Sequence, residues 1–340
     1  MNKVGKIISV SPKFAISGGE IAIQYEGLSL NTDESFNVFF DGKPAHIVGY
    51  SSKKVLAIVP DDLDNSEVEV YVENGDNRSE SYVFTVGKKL ADGLHIVANP
   101  AVDPKDGSII LTRSGGRGQK LEATLFRLES DGYLQEMQAD VMNPTGLAFS
   151  NGGNLFVSNR ADGEVYRVNF DEEVVPFASE LGVATGIAFD KQSSLFVGDR
   201  RGTIFKISKV GEAESYAHLE PSVAAYHLAF GTDGKLYVTA PQLSSFDNVW
   251  QVDEFGEVSV FYHGLGRPQG IAFDTNGNLY VAACLHGQRG VVRISPEREA
   301  ELFVSGMNIV GLCFTKNGEM IVATNEEVYS LPIGIYGTIL

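Results

Sequence analysis

Cysteine is nearly absent from this chain of 340 residues; only Cys284 and Cys313 occur. Two thiols do not build a disulfide framework, so the core must come from apolar packing. Basic residues are also scarce. Lysine and arginine number 27 against 44 aspartate and glutamate, a net charge of −17. Residues 1–87 carry 13 acidic side chains against 7 basic ones, and the rest carries 31 against 20. Broad nucleic-acid binding is excluded, because its affinity comes from neutralising phosphates. No run of eighteen apolar residues occurs, so no transmembrane helix is expected. Residues 1–20 show neither a continuous apolar core nor a cleavage site. No twelve-residue window sustains a helical period. The six histidines form no HxH or HExxH pair, and there is no GxSxG elbow. GRGQK at Gly116–Lys120 is too short for a phosphate loop and lacks a following helix.

What is present is a repeat. PTGLAFSNGGNLFVSN begins at Pro144, ATGIAFDKQSSLFVGD at Ala184 and AYHLAFGTDGKLYVTA at Ala225. PQGIAFDTNGNLYVAA follows from Pro268 and IVGLCFTKNGEMIVAT from Ile309. Aligned on Gly146, Gly186, His227, Gly270 and Gly311, the steps are 40, 41, 43 and 41 residues. A period near 40, built of short strands and Gly/Asn/Asp turns, predicts a β-propeller with one blade per repeat. A degenerate copy from His95, HIVANPAVDPKDGSIILTRS, brings the count to six. The column Phe149, Phe189, Phe230, Phe273 and Phe314 is expected to pack between blades. So is the column Leu155, Leu195, Leu236, Leu279 and Met320. Cys313 shares a column with Ala148, Ala188, Ala229 and Ala272, which marks it as a small interior residue. Tyr336–Leu340 is the expected closing strand of the ring, with Lys89–Leu94 as its rival.

The first 87 residues follow a different pattern. Alternation at Ile21, Ile23 and Tyr25, and at Val68, Val70 and Val72, predicts half-buried strands of a two-sheet sandwich. Ser11-Pro12, Gly18-Gly19, Phe40-Asp41-Gly42, Val59-Pro60 and Tyr82-Val83-Phe84 make this stretch resemble an IPT/TIG domain, an immunoglobulin-like module. The fold class expected is all-β: an N-terminal immunoglobulin-like β-sandwich over 1–87, then a six-bladed β-propeller over 88–340. Either the protein is cytoplasmic or a signal peptide is absent from this chain; the resemblance, since such modules are joined to propellers in the bacterial cell envelope, favours the exported alternative.

Residues 95–340 resemble the NHL and SMP-30/gluconolactonase group of six-bladed propellers, with Pro268–Pro296 the best match. The resemblance implies a central divalent metal held by Glu, Asn and Asp at the inner-strand starts. In this chain the Glu position falls on Asn99, an Asn position on Thr185 and the Asp position on Gln269. The Asn that touches substrate falls on Pro144 or Thr145. Both carboxylates are missing. Neutral oxygens alone hold a divalent ion weakly, and no general base remains. No cofactor is therefore expected, and calcium is the metal that a revived lactonase would bring.

The mouth is cationic and polar instead. The inner-strand starts supply Asn99, Thr145, Thr185, Tyr226, His227 and Gln269. The loops add Arg113, Arg117, Asn159, Arg160, Asp199, Arg200, Arg201, Arg267, His286 and Arg289. Seven of the twelve arginines would ring one face of an acidic protein. Arginine reads carboxylate, phosphate and sulfate bidentately. The competing expectation pairs these arginines with Asp162, Asp199 or Asp247 in rim salt bridges. Arg127, Arg167, Lys206 and Arg293 share a third-strand column and are read as structural.

Three functions follow. One is a non-catalytic binding protein for a small anionic or polyhydroxylated ligand, such as a sugar acid or glycan end. Another is a protein-interaction scaffold with an envelope partner. The last is a divergent lactonase, or a lyase using His227 or Tyr226.

Overall fold

The computed structural model describes residues 5–28, 34–63, 65–115, 119, 121–244 and 246–338. The described chain is all-β. Short strands follow from short apolar runs broken by turn residues every five to eight positions, which leave no room for a helix. Arg117 and the last two residues of the expected Tyr336–Leu340 strand lie outside the described residues.

Six four-stranded units form the larger part of the molecule. The first is Ala101–Val102, Ile109–Thr112, Leu125–Leu128 and Leu134–Glu136. The second is Pro144–Phe149, Leu155–Asn159, Glu164–Val168 and Val174–Ala178. The third (Ala184–Phe189 to Ala213–His218), fourth (His227–Phe230 to Val258–Leu265) and fifth (Ile271–Phe273 to Ala300–Ser305) repeat the plan. The sixth begins Ile309–Phe314, Glu319–Thr324 and Val328–Pro332. Neighbouring innermost strands touch in order, and the sixth touches the first. The molecule is thus a β-propeller with six blades.

The glycine column of the repeat sits at this inner ring. A Cβ on Gly186 would lie 2.3 Å from the Tyr226 carbonyl oxygen, and one on Gly146 would lie 2.4 Å from that of Thr185. Only glycine permits backbones to approach so closely. The phenylalanine column is clamped between blades as expected. Phe156 of the second blade meets Phe177 of its own outer strand and Phe189 of the third, at ring distances of 4.9 and 5.1 Å. Phe196 repeats this with Tyr216 and Phe230, Tyr237 with Phe261 and Phe273, and Tyr280 with Phe303 and Phe314. All eight contacts are edge-on, the geometry that the ring quadrupole favours.

The ring closes differently from expectation. Lys88–Ala91, not Tyr336–Leu340, is the fourth strand of the sixth blade, antiparallel to Val328–Pro332. The reason is geometric. After Pro332 the chain turns under the ring, where Thr275 donates to the Tyr336 carbonyl and Thr338 to that of Phe273. The end of the described chain therefore plugs the lower end of the channel and is unavailable as an outer strand.

Before Lys88, two sheets face each other across one apolar cluster containing Ile21, Ile23, Phe40, Val70 and Phe84. One sheet runs Lys6–Ser11, Glu20–Glu26, Lys54–Ile58 and His46–Tyr50. The other includes Phe14–Ala15, Tyr82–Val86, Glu67–Asn74 and Phe36–Phe40. This second sheet is not a separate body. Phe14–Ala15 pairs in parallel with Val304–Ser305 of the fifth blade, so blade and sheet form one ten-stranded surface. Ile16, fully buried, inserts into the propeller's own core beside Tyr280 and Val304.

Candidate functional site

Antiparallel pairing fixes which loops share a face. The start of each inner strand lies beside the end of the second strand: Pro144 opposite Asn159, Ala184 opposite Asp199, His227 opposite Thr239. The loops after the second strands therefore open on the same side as the inner-strand starts. Arg113, Arg160, Arg200, Arg201, His286 and Arg289 follow second strands, and Arg267 precedes an inner strand. The fold brings all seven to one face.

These side chains make no ion pair among the described residues, whereas two members of the structural column, Arg127 and Arg293, do. Arg127 bonds Asp103 at 3.2 Å and Asp106 at 3.0 Å, and Arg293 pairs with Glu301. Two of the aspartates expected to pair with the rim, Asp162 and Asp199, are otherwise engaged. Asp162 accepts from Asn159 at 2.6 Å and from the Tyr166 hydroxyl at 2.9 Å. Asp199 accepts from the backbone of Val183 at 2.9 Å and of Arg201 at 3.1 Å, which makes it a loop cap. Asp247 is buried, and that burial pushes its carboxyl up. Arg160 is half-buried, and burial together with the neighbouring Arg200 charge pulls its guanidinium down from its usual value. Two cations held this close without a counter-charge make a field suited to an anion.

The inner-strand starts are mostly committed to the ring itself. The Thr145 hydroxyl donates to the Ala184 carbonyl at 3.0 Å. The Thr185 hydroxyl donates to Gly198 at 2.8 Å and accepts from the Tyr226 backbone at 3.1 Å. Asn99 donates to the Ile271 carbonyl at 2.9 Å and accepts from Leu312 at 3.2 Å. Asn159 is held within its own turn by Ala161 and Asp162. Tyr226 is fully buried and donates its hydroxyl to Glu220; burial pushes that hydroxyl up to about 12. The ring thus uses Thr145, Thr185 and Asn99 as links between blades.

A channel of about 210 Å³ follows the axis. Asn99, Thr145 and His227 line it above, with Phe149, Phe189, Phe230, Phe273 and Phe314 below. His227 stands where the other repeats have glycine, so its imidazole projects where no other blade carries a side chain. It is buried without a hydrogen bond among the described residues, and burial lowers its pKa to about 4. Cys313 lines the same channel, and burial pushes its thiol well up. No group of three or more His, Cys, Asp or Glu among the described residues is placed to hold a metal ion.

A larger cavity, about 860 Å³, lies off the axis among the fourth, fifth and sixth blades. Arg267, Gln269, His286 and Arg289 line it, as does Cys284. Sequence reasoning missed three of its walls, Phe246, Asn308 and Asn325. Phe246 sits in a long loop outside the repeat, and the two asparagines read as ordinary turn residues.

The fold and the loop face define a propeller with a polar, cationic mouth. No protein-family model matches the chain, and no curated protein matches it. Solved structures do. An auxiliary nutrient binding protein from Bacteroides thetaiotaomicron aligns at 11% identity and a TM-score of 0.58, covering 97% of this chain and 98% of that one. A candidate gluconolactonase aligns at 16% identity and a TM-score of 0.61, covering 75% of this chain and 94% of the other. A catalytically inactive histidine-to-alanine variant of virginiamycin B lyase from Staphylococcus aureus, solved with quinupristin, aligns at 13% identity. Its TM-score is 0.53, and the match covers 87% of this chain and 99% of that one. At these identities the likeness shows the fold alone.

Proposed function

We propose that this chain is a non-catalytic binding protein that takes a small anionic or polyhydroxylated ligand at the loop face of the propeller. The observation that carries this reading is the set of unpaired cations on one face of a chain whose net charge is −17. Among the described residues these side chains have no counter-ion, Arg160 reaching only the Gly115 carbonyl at 3.5 Å, and an incoming anion would supply their partner. The nutrient-binding protein from Bacteroides matches along nearly its full length, including the sheets before Lys88, and this supports the reading. We read residues 1–87 as an immunoglobulin-like, IPT/TIG-type module that braces the propeller.

The lactonase alternative lacks carboxylates at the inner-strand starts. The lyase alternative would rest on His227 or Tyr226, but the Tyr226 hydroxyl is given to the Glu220 carbonyl, and no Asp, Glu, Lys or Arg is among the described residues lining the channel beside His227.

The test is thermal unfolding against sugar acids, lactones, uronate oligosaccharides and phosphorylated sugars, with calcium or EDTA. A ligand at a hundred times its dissociation constant adds about 2.7 kcal/mol, a shift of roughly 2–4 °C. The expected result is a shift with an anionic sugar that survives EDTA and shrinks with salt. A shift that needs calcium would revive the lactonase. No shift with any probe would leave the propeller as a protein-interaction scaffold.

A further inference from the structure

We propose that the off-axis cavity is a subsite for an anionic sugar, a sugar ring bearing a carboxylate or a phosphate, whose charge is taken by Arg267, Arg289 and His286. The proposal rests on the binding-protein reading and assigns it a place and a ligand class.

The first observation is composition. Of the eighteen residues lining this cavity none is Asp or Glu, in a chain that has 44 of them. Three of them, Arg267, Arg289 and His286, carry or can carry positive charge, and none of these is ion-paired among the described residues. The walls also present the amides of Gln269, Asn308 and Asn325, which bond nothing else among the described residues. Each amide offers a donor and an acceptor, the complement of a sugar hydroxyl. The ring of Phe246, 65% exposed, stands at the edge and offers an apolar face to a pyranose. At about 860 Å³ the space falls in the range of roughly 300–1,000 Å³ typical of small-ligand sites.

The second observation is backbone strain. Arg267 and His286 both have left-handed backbones, with φ of 48° and 50°. Arginine is an unusual occupant of that region, where glycine and asparagine are the ordinary ones. The repeat supplies an internal control. The residue before the inner strand is left-handed at Asn143 (φ 50°) in the second blade and at Asn308 (φ 58°) in the sixth. The fifth blade has the same turn but places Arg267 there. His286 and Gly287 likewise form a two-residue hairpin between Leu285 and Gln288, both with positive φ. Asn-Gly is the favoured pair in such a turn. At two positions where the fold accepts asparagine, the chain carries Arg267 and His286, both on the wall of one cavity. Glu172, Glu180, Ser193 and Arg298 are left-handed too and lie away from this cavity, so Arg267 gains its weight from standing in that conformation on the cavity wall, not from φ alone.

The same feature gives substitutions that spare the fold. The experiment is calorimetric titration of the full chain at low salt with a uronate oligosaccharide, a phosphorylated sugar and the neutral parent sugar. Wild type is compared with Arg267→Asn, His286→Asn and the double variant Arg200→Ala/Arg201→Ala. We expect one of the two anionic probes to bind, the neutral sugar to bind about tenfold more weakly, and Arg267→Asn to cost about tenfold or more. Thermal unfolding without ligand should be unchanged or raised in Arg267→Asn. If that variant does not fold, His286→Asn carries the same comparison. Anion binding untouched by Arg267→Asn and His286→Asn would overturn this site, as would equal binding of the neutral sugar. Binding lost only in Arg200→Ala/Arg201→Ala would leave the mouth reading standing and move the site to the third blade. No binding of any probe would overturn both readings.

Discussion

At the scale of single residues, His227 is the most informative departure from the repeat. Glycine holds its column elsewhere because neighbouring inner strands nearly touch. A histidine there was legible in the sequence as an irregularity, but its consequence was not. Its imidazole is buried and makes no hydrogen bond among the described residues, with a pKa pushed down to about 4. The unfolded side chain titrates near 6.5, so the folded protein refuses a proton that the unfolded chain accepts between those values. The contribution to stability is therefore complete above pH 6.5 and is lost as pH falls towards 4. Denaturant titrations at pH 7 and pH 4 should show wild type losing roughly 3 kcal/mol more than His227→Gln. Equal losses in the two proteins would mean that the ring is solvated. The rim arginines were legible too, since their place after second strands follows from the repeat. That Thr145, Thr185 and Asn99 are tied to neighbouring blades was not, because hydrogen bonds between blades leave no periodic trace.

Among the elements, the blades were legible wherever the aromatic clamp is intact. Phe189, Phe230, Phe273 and Phe314 recur in sequence because each meets a ring from the blade before it, while Phe149 packs against the aliphatic cluster of Ile110 and Leu125. The first blade lacks this mark; its inner strand is only Ala101–Val102. The clamp should carry much of the blade-to-blade stability. Phe156→Ala removes the central ring of an edge-on triad, and with it both contacts, and should cost about 3–5 kcal/mol in equilibrium unfolding. A cost below about 1 kcal/mol would mean that the blades are held by their backbones alone. The closing strand was the element least legible. Lys88–Ala91 is short and polar at its start, and its pairing depends on a partner at the other end of the chain.

For the whole molecule, the alternation in residues 1–87 foretold strands but not their union with the fifth blade. Only two residues, Phe14 and Ala15, make the parallel join, too few to leave a pattern. Ile16 completes it from inside the propeller core, against Gly306 and Tyr280. The chain should therefore unfold as one unit. Calorimetry of wild type should show a single transition. Ile16→Ala should lose about 2–5 kcal/mol and separate an early transition for the N-terminal sheets. Two well-separated transitions in the wild type would refute the coupling.

The closing strand has a consequence for how the protein is made. Lys89 and Glu327, which meet in the finished ring, are 238 positions apart. A ribosome releases the closing strand before any blade, so that strand must wait unpaired while five blades and most of a sixth emerge. Its neighbours, the sheets ending at Val86, can begin to gather around their own apolar cluster meanwhile, although their join to the fifth blade waits for Val304 and Ser305. Contacts this distant in sequence are slow to form. A chain arrested before Val328 would carry an open, aggregation-prone edge.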